Sequence, residues 1–194
     1  MQNAVMLRWS AATLAAAIPI LSSALTHAQS GGGSARAVQA TVVTSTGLNT
    51  STLADTGTLS STTDAREASQ AAGALDSIVT AQTLHASAIA SEEEVASEAS
   101  LAGLTVSIAG AAINASFVQA RATSGSRGVR TATIDDLTIN GVPTTVSGAA
   151  NQTIAIPGGS VVINQQDGNV VHALHIIVNG VADVVIASAN ANAQ

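Results

Sequence analysis

The sequence contains no cysteine and no tyrosine, its six cationic side chains are all arginine, and it has only three prolines. Without cysteine no disulfide can staple the domain, so burial and sheet hydrogen bonding must hold it, and the length makes that feasible. Aromatic residues are almost missing. Trp9 lies in the N-terminal segment, which leaves Phe117 as the one aromatic of the remaining chain. The core must therefore be Val, Ile, Leu and a great deal of Ala. Small side chains let facing sheets approach closely but bury little area each, so stability is expected from many small contacts. The lack of Trp and Tyr also weighs against stacking on carbohydrate. The net charge of −6 argues against nucleic acid, whose phosphates demand a basic face. Arg121, Arg127 and Arg130 form the one positive cluster, and Ser124-Gly125-Ser126-Arg127-Gly128 reads as a solvated hairpin tip.

Residues 1–28 read as a helical secretory signal peptide. Arg8 supplies the positive start, Leu14 to Leu25 the apolar stretch, and Thr26-His27-Ala28 a small-x-small cleavage site before Gln29. An uncleaved anchor helix is the competing reading. Pro19 interrupts that run, however, and its length is near the lower limit of ~17 residues for a span. After cleavage no segment is expected to cross a membrane. Residues 29–34, with Ser30-Gly31-Gly32-Gly33-Ser34, read as a flexible lead-in, and residues 35–194 as a single β domain.

Within that domain one pattern recurs. Leu174 to Val178, Asn179-Gly180, then Val181 to Ala191 is an apolar alternation, a pair suited to positive φ, and a second alternation, which predicts a hairpin closed by a type I′ turn. Leu104 to Ile108 leads through Ala109-Gly110 into Ile113 to Ala122, and Leu137-Thr138-Ile139 leads through Asn140-Gly141 into Val142 to Val146. Pro157-Gly158-Gly159-Ser160 and Asp167-Gly168 mark further turns. The apolar phase slips by one residue at Phe117-Val118 and at Ile186-Ala187. This predicts β-bulges that bend strands passing from one sheet to another.

Ala35 to Ser45 suits a first strand, and Thr46 to Gly73 predicts short strands and long connections, in part mobile. From Ile78, alternation places Thr80, Gln82, Leu84, Ala86 and Ala88 on one side, and Val79, Ala81, His85 and Ile89 on the other. Ser91 with Glu94 resembles a capping box, yet Val95, Ser97, Ala99 and Leu101 alternate. The expectation is a turn at the glutamates followed by a strand ending at Gly103. Short strands at this spacing predict an all-β chain, an antiparallel β-sandwich built from hairpins; a β-solenoid or a barrel-like closure is the alternative. A solenoid needs a fixed repeat length, and the copies here are unequally spaced.

The ordered series Leu137 to Gly141, Asn151-Gln152-Thr153, Ile156 to Gly159, Val162 to Gln166, Ala173-Leu174-His175 and Ala182 to Ala189, with Ala54-Asp55-Thr56-Gly57 earlier, resembles the choice-of-anchor P family of bacterial surface and secreted proteins. The resemblance implies an exported extracellular domain of uncharacterised biochemical role. After Ala191 the sequence shows no sortase-type motif, hydrophobic tail or basic end. Free secretion or non-covalent association is therefore the expectation.

No residue set specifies a reaction. His172 and His175, three apart on a regular strand, would point to opposite faces and could not share an ion. A hydrolase combining a Ser with His175 and Asp183 or Asp167 would need a nucleophile elbow, and the Gly-x-Ser-x-Gly pattern is absent. Calcium is the one cofactor with candidate ligands, namely Glu92, Glu93, Glu94 and Glu98, Asp135 with Asp136, and Asp167 in a tight turn. None has EF-hand spacing, and a solvated acidic turn is the competing account. Ice binding would need ranks of Thr at a constant interval, which do not recur. The expected function is that of a secreted, non-enzymatic structural, matrix or adhesion domain at the bacterial surface, contacting cell-surface components or its own copies. An extracellular calcium- or glycan-binding module is the alternative.

Overall fold

The computed structural model describes residues 32–126 and 128–192. The expected signal peptide, the first part of the expected lead-in, Arg127 and residues 193–194 of the expected β domain lie outside them. The described chain is all β, with two antiparallel sheets packed face to face and not closed into a barrel. The strands are β1 (Ser34–Thr44), β2 (Gly47–Asp55), β3 (Ala65–Leu75), β4 (Val79–Ala90), β5 (Val95–Ile108), β6 (Ala111–Thr123), β7 (Arg130–Asp135), β8 (Thr138–Ile139), β9 (Val142–Pro143), β10 (Gln152–Ile156), β11 (Gly159–Asp167), β12 (Val170–Val178) and β13 (Ala182–Asn190). One sheet runs β10-β11-β12-β13-β1-β2; the other runs β3-β4-β5-β6-β8-β9, with β7 also on β6. Nearly every neighbour pair is a hairpin, because tight turns make the next strand the cheapest partner. Two pairs are exceptions: β8, which continues β7 along the edge of β6, and β1 against β13, which ties the two ends of the domain together from Ser34 opposite Asn190 to Val42 opposite Ala182.

Ala109-Gly110 and Asn140-Gly141 each have two positive φ values, as a type I′ turn requires. At Asn179-Gly180 only Gly180 does, at +70°. Val181 N–H there donates to the Val178 carbonyl, giving a three-residue loop in place of the expected type I′ turn. The last residues of the expected lead-in pack against the domain. Gly32 N–H donates to Asn192, and Gly33 sits where a Cβ would lie 2.5 Å from Val95 and 2.9 Å from Leu59, so glycine is needed for that close packing. Thr46 to Gly73 likewise holds two long strands, nine and eleven residues, where short ones were expected. These are border strands, and their sparse apolar pattern reflects the little they bury. The hairpin after Asn140-Gly141 is a stub of two residues on each side, since Pro143 cannot donate to a ladder.

The largest departure concerns which side chains face inward. Along β13, Ala182, Val184 and Ile186 are buried, and then Ala187, Ala189 and, just past the strand, Ala191. The slip at Ile186-Ala187 is where the sequence places it. It is neither an inserted residue nor a change of sheet, however: Ile186 opposes Val38 and Ser188 opposes Arg36 in one unbroken register. All five longer strands kink together. A row of large side chains, Leu53, Val38, Ile186, Leu174 and Ile163, crosses this sheet through successive pairs. The next row is Ala54, Ala37, Ala187, Ala173 and Asn164, with φ of 46° at Ala54 and 50° at both Ala187 and Asn164. A left-handed residue in every second strand turns two consecutive side chains inward. Both must fit the same gap, which accounts for alanine.

The second sheet has the same device. Buried positions change phase between Ala81 and Leu84, Leu101 and Leu104, Ala115 and Val118, and Ile134 and Leu137. Positive φ occurs at Thr83 (47°), Gly103 (57°) and Asp136 (54°). This overturns two expectations. Strand β5 continues through Gly103 to Ile108, and Val79 and Ala81 share the inward face with Leu84, Ala86 and Ala88. A true register shift occurs only between β4 and β5, around Gln82. Phe117 falls at the slip and is half-buried, outside the core. Thr83 is exposed, β-branched and left-handed, a combination that costs about 1–2 kcal/mol. Thr83→Asn is therefore expected to raise stability by about 0.5–1 kcal/mol, read as a higher urea midpoint at unchanged slope. A lower midpoint would contradict the strain.

Candidate functional site

The kink in the first sheet also decides where its polar residues go. Because Ala173 and Leu174 both turn inward, His172 and His175 emerge on the same outer face, contrary to the expectation for a regular strand. Their rings meet edge to face, with centroids 5.9 Å apart and planes at 68°. β11 contributes Gln165 and β13 contributes Asp183. His175 Nδ1 lies 2.6 Å from Gln165 Oε1, and Nε2 lies 3.0 Å from each Asp183 oxygen. The His175 side chain is 14% exposed and that of Asp183 49%. On the adjoining strands Arg36 donates to Asp55 at 2.8 Å and to Gln39. The outer face of this sheet thus carries a belt of half-buried polar side chains.

His172 is the strained member of that belt. Its Nδ1 is buried with no hydrogen-bond partner among the described residues. Burial first, and then the neighbouring His175, hold its pKa down at about 4 against an ordinary 6.5. Above pH 6.5 the ring is neutral in both folded and unfolded chains. Between 6.5 and 4 the unfolded chain takes up the proton more readily, so stability falls as pH falls through that window. Allowing for partial solvent screening, the loss is about 2 kcal/mol between pH 7 and pH 4. His172→Gln is expected to flatten that segment of a pH–Tm profile; an unchanged profile would contradict the assignment. Asp64 acts in a different window. Ser60 donates to it through both backbone and hydroxyl, with Arg66 assisting, and holds its carboxyl at about 2.

The belt is not arranged for proton transfer. Both nitrogens of His175 are taken up by side chains that carry no nucleophile, one by a carboxylate and one by a carboxamide. A second His cluster, unforeseen from the sequence, joins β3 and β4. Ser69 Oγ is 3.0 Å from His85 Nδ1, but it also donates to Glu67 at 3.0 Å, and that carboxylate lies 3.7 Å from the same Nδ1. In a relay the acid orients the ring from its far nitrogen. Here acid and hydroxyl crowd one nitrogen on an exposed border strand. The signal for this cluster was the cross-strand register, which alternation alone does not contain.

The structure keeps the calcium candidates apart. Glu92, Glu93 and Glu94 are exposed in the turn between β4 and β5, where Ser91 Oγ accepts from Glu94 N–H. Glu98 pairs with Arg121 at 3.0 Å. Asp135 and Asp136 lie at the β7–β8 kink, with Asp136 accepting from Ser116 at 2.7 Å. Asp167 ends β11. Among the described residues no group of three or more His, Asp or Glu could hold a metal ion. One recess, about 460 Å³, is a groove along Ile134, Asp136, Leu137, Pro143 and Val146. A second, about 390 Å³, is lined by Thr123, Ser124, Arg130 and Asn169. His175 lines neither. No helix among the described residues is long and apolar enough to cross a membrane. Compared with family models, with curated proteins and with solved structures, the chain finds no match.

Proposed function

We propose that this chain is an exported, non-enzymatic domain of the choice-of-anchor P type, serving as a structural, matrix or adhesion component at a bacterial surface. The observation that carries this reading is the state of His175, which spends both nitrogens on Asp183 and Gln165, on an open sheet face rather than in a cleft. Such a belt stiffens a sheet. It has no hydroxyl poised for attack and no enclosed volume in which to hold a substrate. The signal-like N-terminus and the ordered motifs support export. The calcium alternative gains nothing from the geometry, since its carboxylates stand at separate turns, and the glycan alternative lacks an aromatic platform. Fractionating the producing culture tests the reading. The mature domain is expected in the medium or on the cell exterior, with its N-terminus near Gln29; full-length protein in the cytoplasm would overturn it.

A further inference from the structure

The two borders of the sandwich are defended very differently. On one, the sheets end in β7, six residues with a charge at each end, in β9, two residues including Pro143, and in β10, five residues set between Asn151 at φ +60° and Pro157. Shortness and proline are what keep an edge from accepting another strand. On the other border lie β2 and β3, nine and eleven residues long. β2 has no charge before Asp55, and β3 has neither charge nor proline from Ala68 to Leu75. β2 packs over β3, with Leu53 against Gly73, so the two bare edges lie one above the other. Leu48 on β2 is 74% exposed, and Ile89, opposite Ala65 of β3, is 55% exposed. Among the described residues nothing pairs with the outer side of either strand.

We infer that this border docks onto the same border of a second copy, β3 running antiparallel to its counterpart about a two-fold axis normal to the sheets, with β2 pairing likewise in the other layer. Several observations favour a second copy over an unrelated strand. The only charges of β3, Arg66 and Glu67, stand at its start, so antiparallel two-fold pairing sets both against the uncharged end of the partner strand. Alanine, serine and glycine along β3 clear the way for a neighbouring strand, which at ~3.3 Å per residue has about 36 Å over which to pair. One axis serves both layers, so the two contacts form together and close the assembly. The pairing rests on the proposed function only for its use, since contact-making copies suit a matrix or adhesion domain; the edges themselves are a property of the fold.

Sedimentation velocity of the purified domain across a dilution series tests it, independently of where the protein resides. The wild type is expected as a dimer that dissociates on dilution. Ala72→Lys and Ala74→Lys, on exposed positions of β3, are expected to give monomers that keep the β circular dichroism spectrum. Ala155→Lys, exposed on β10, is expected to leave the dimer intact. Because the chain has no cysteine, single substitutions from Ser69→Cys to Ala72→Cys should form an intermolecular disulfide only next to the axis. A wild type that is monomeric at every concentration, folded β3 variants that stay dimeric, dissociation by Ala155→Lys alone, or no cross-link along β3 would each overturn the proposal.

Discussion

Replacing Gly159 with alanine is expected to cost about 3 kcal/mol or more, the largest loss from adding a single methyl group to this domain. Gly159 opens β11 opposite Ile156 of β10 and Val178 of β12. A Cβ there would stand 1.8 Å from the Ile177 carbonyl oxygen and 2.8 Å from its carbon. Both are backbone atoms, so no rotamer change can relieve the overlap, and β10 or the end of β12 must move. Gly168 provides the comparison. Its φ is +54° but open space surrounds it, so Gly168→Ala should cost only the left-handed strain of about 1 kcal/mol. Chemical denaturation of the two variants separates backbone clash from conformational strain. Equal losses would contradict this account of Gly159.

Leu174→Ala is expected to lose about 3–4 kcal/mol, well above the typical point mutation. Leu174 is fully buried within the row running from Leu53 to Ile163, with Ile163 and Ile186 directly opposite it. The adjoining row is alanine on four of five strands. Neighbours that small cannot swing in to fill a void, and a cavity that does not collapse carries the full packing loss. By contrast Ala187→Gly, in that adjoining row, should change stability by well under 1 kcal/mol. It gives up one buried methyl while relieving a φ of +50°. If both variants melted alike, the division between a supporting row and a kinking row would be wrong.

Much of this architecture is legible in the sequence, because glycine and proline announce turns directly. Ala109-Gly110, Asn140-Gly141, Pro157-Gly158 and Gly168 all close tight connections, and the apolar runs beside them are strands. The aliphatic core is legible from composition alone. Alternation fails where its assumption does, namely that each residue of a strand reverses the last. At Ala54, Thr83, Ala187 and Asn164 a left-handed backbone breaks the reversal, and apart from asparagine these residue types give no local sign of it. The phase slip at Ile186-Ala187 is visible in the pattern. That its neighbours slip with it follows from sheet register, which no single strand reveals. This is why alternation sets His172 and His175 on opposite faces, and why it names Asp183 beside His175 without showing Gln165 on the ring's other nitrogen. The chemistry-bearing acids were individually visible, but their separation into different turns is a property of the fold.

The claim on which the rest depends is that the strands exchange their buried and exposed faces halfway along. Ring-proton NOEs in the unmodified protein address it directly. With the two imidazoles edge to face at 5.9 Å, cross-peaks between the His172 and His175 rings are expected. Strong NOEs from each ring to protons on opposite sides of the sheet, with none between them, would mean an uninterrupted strand and would contradict the account.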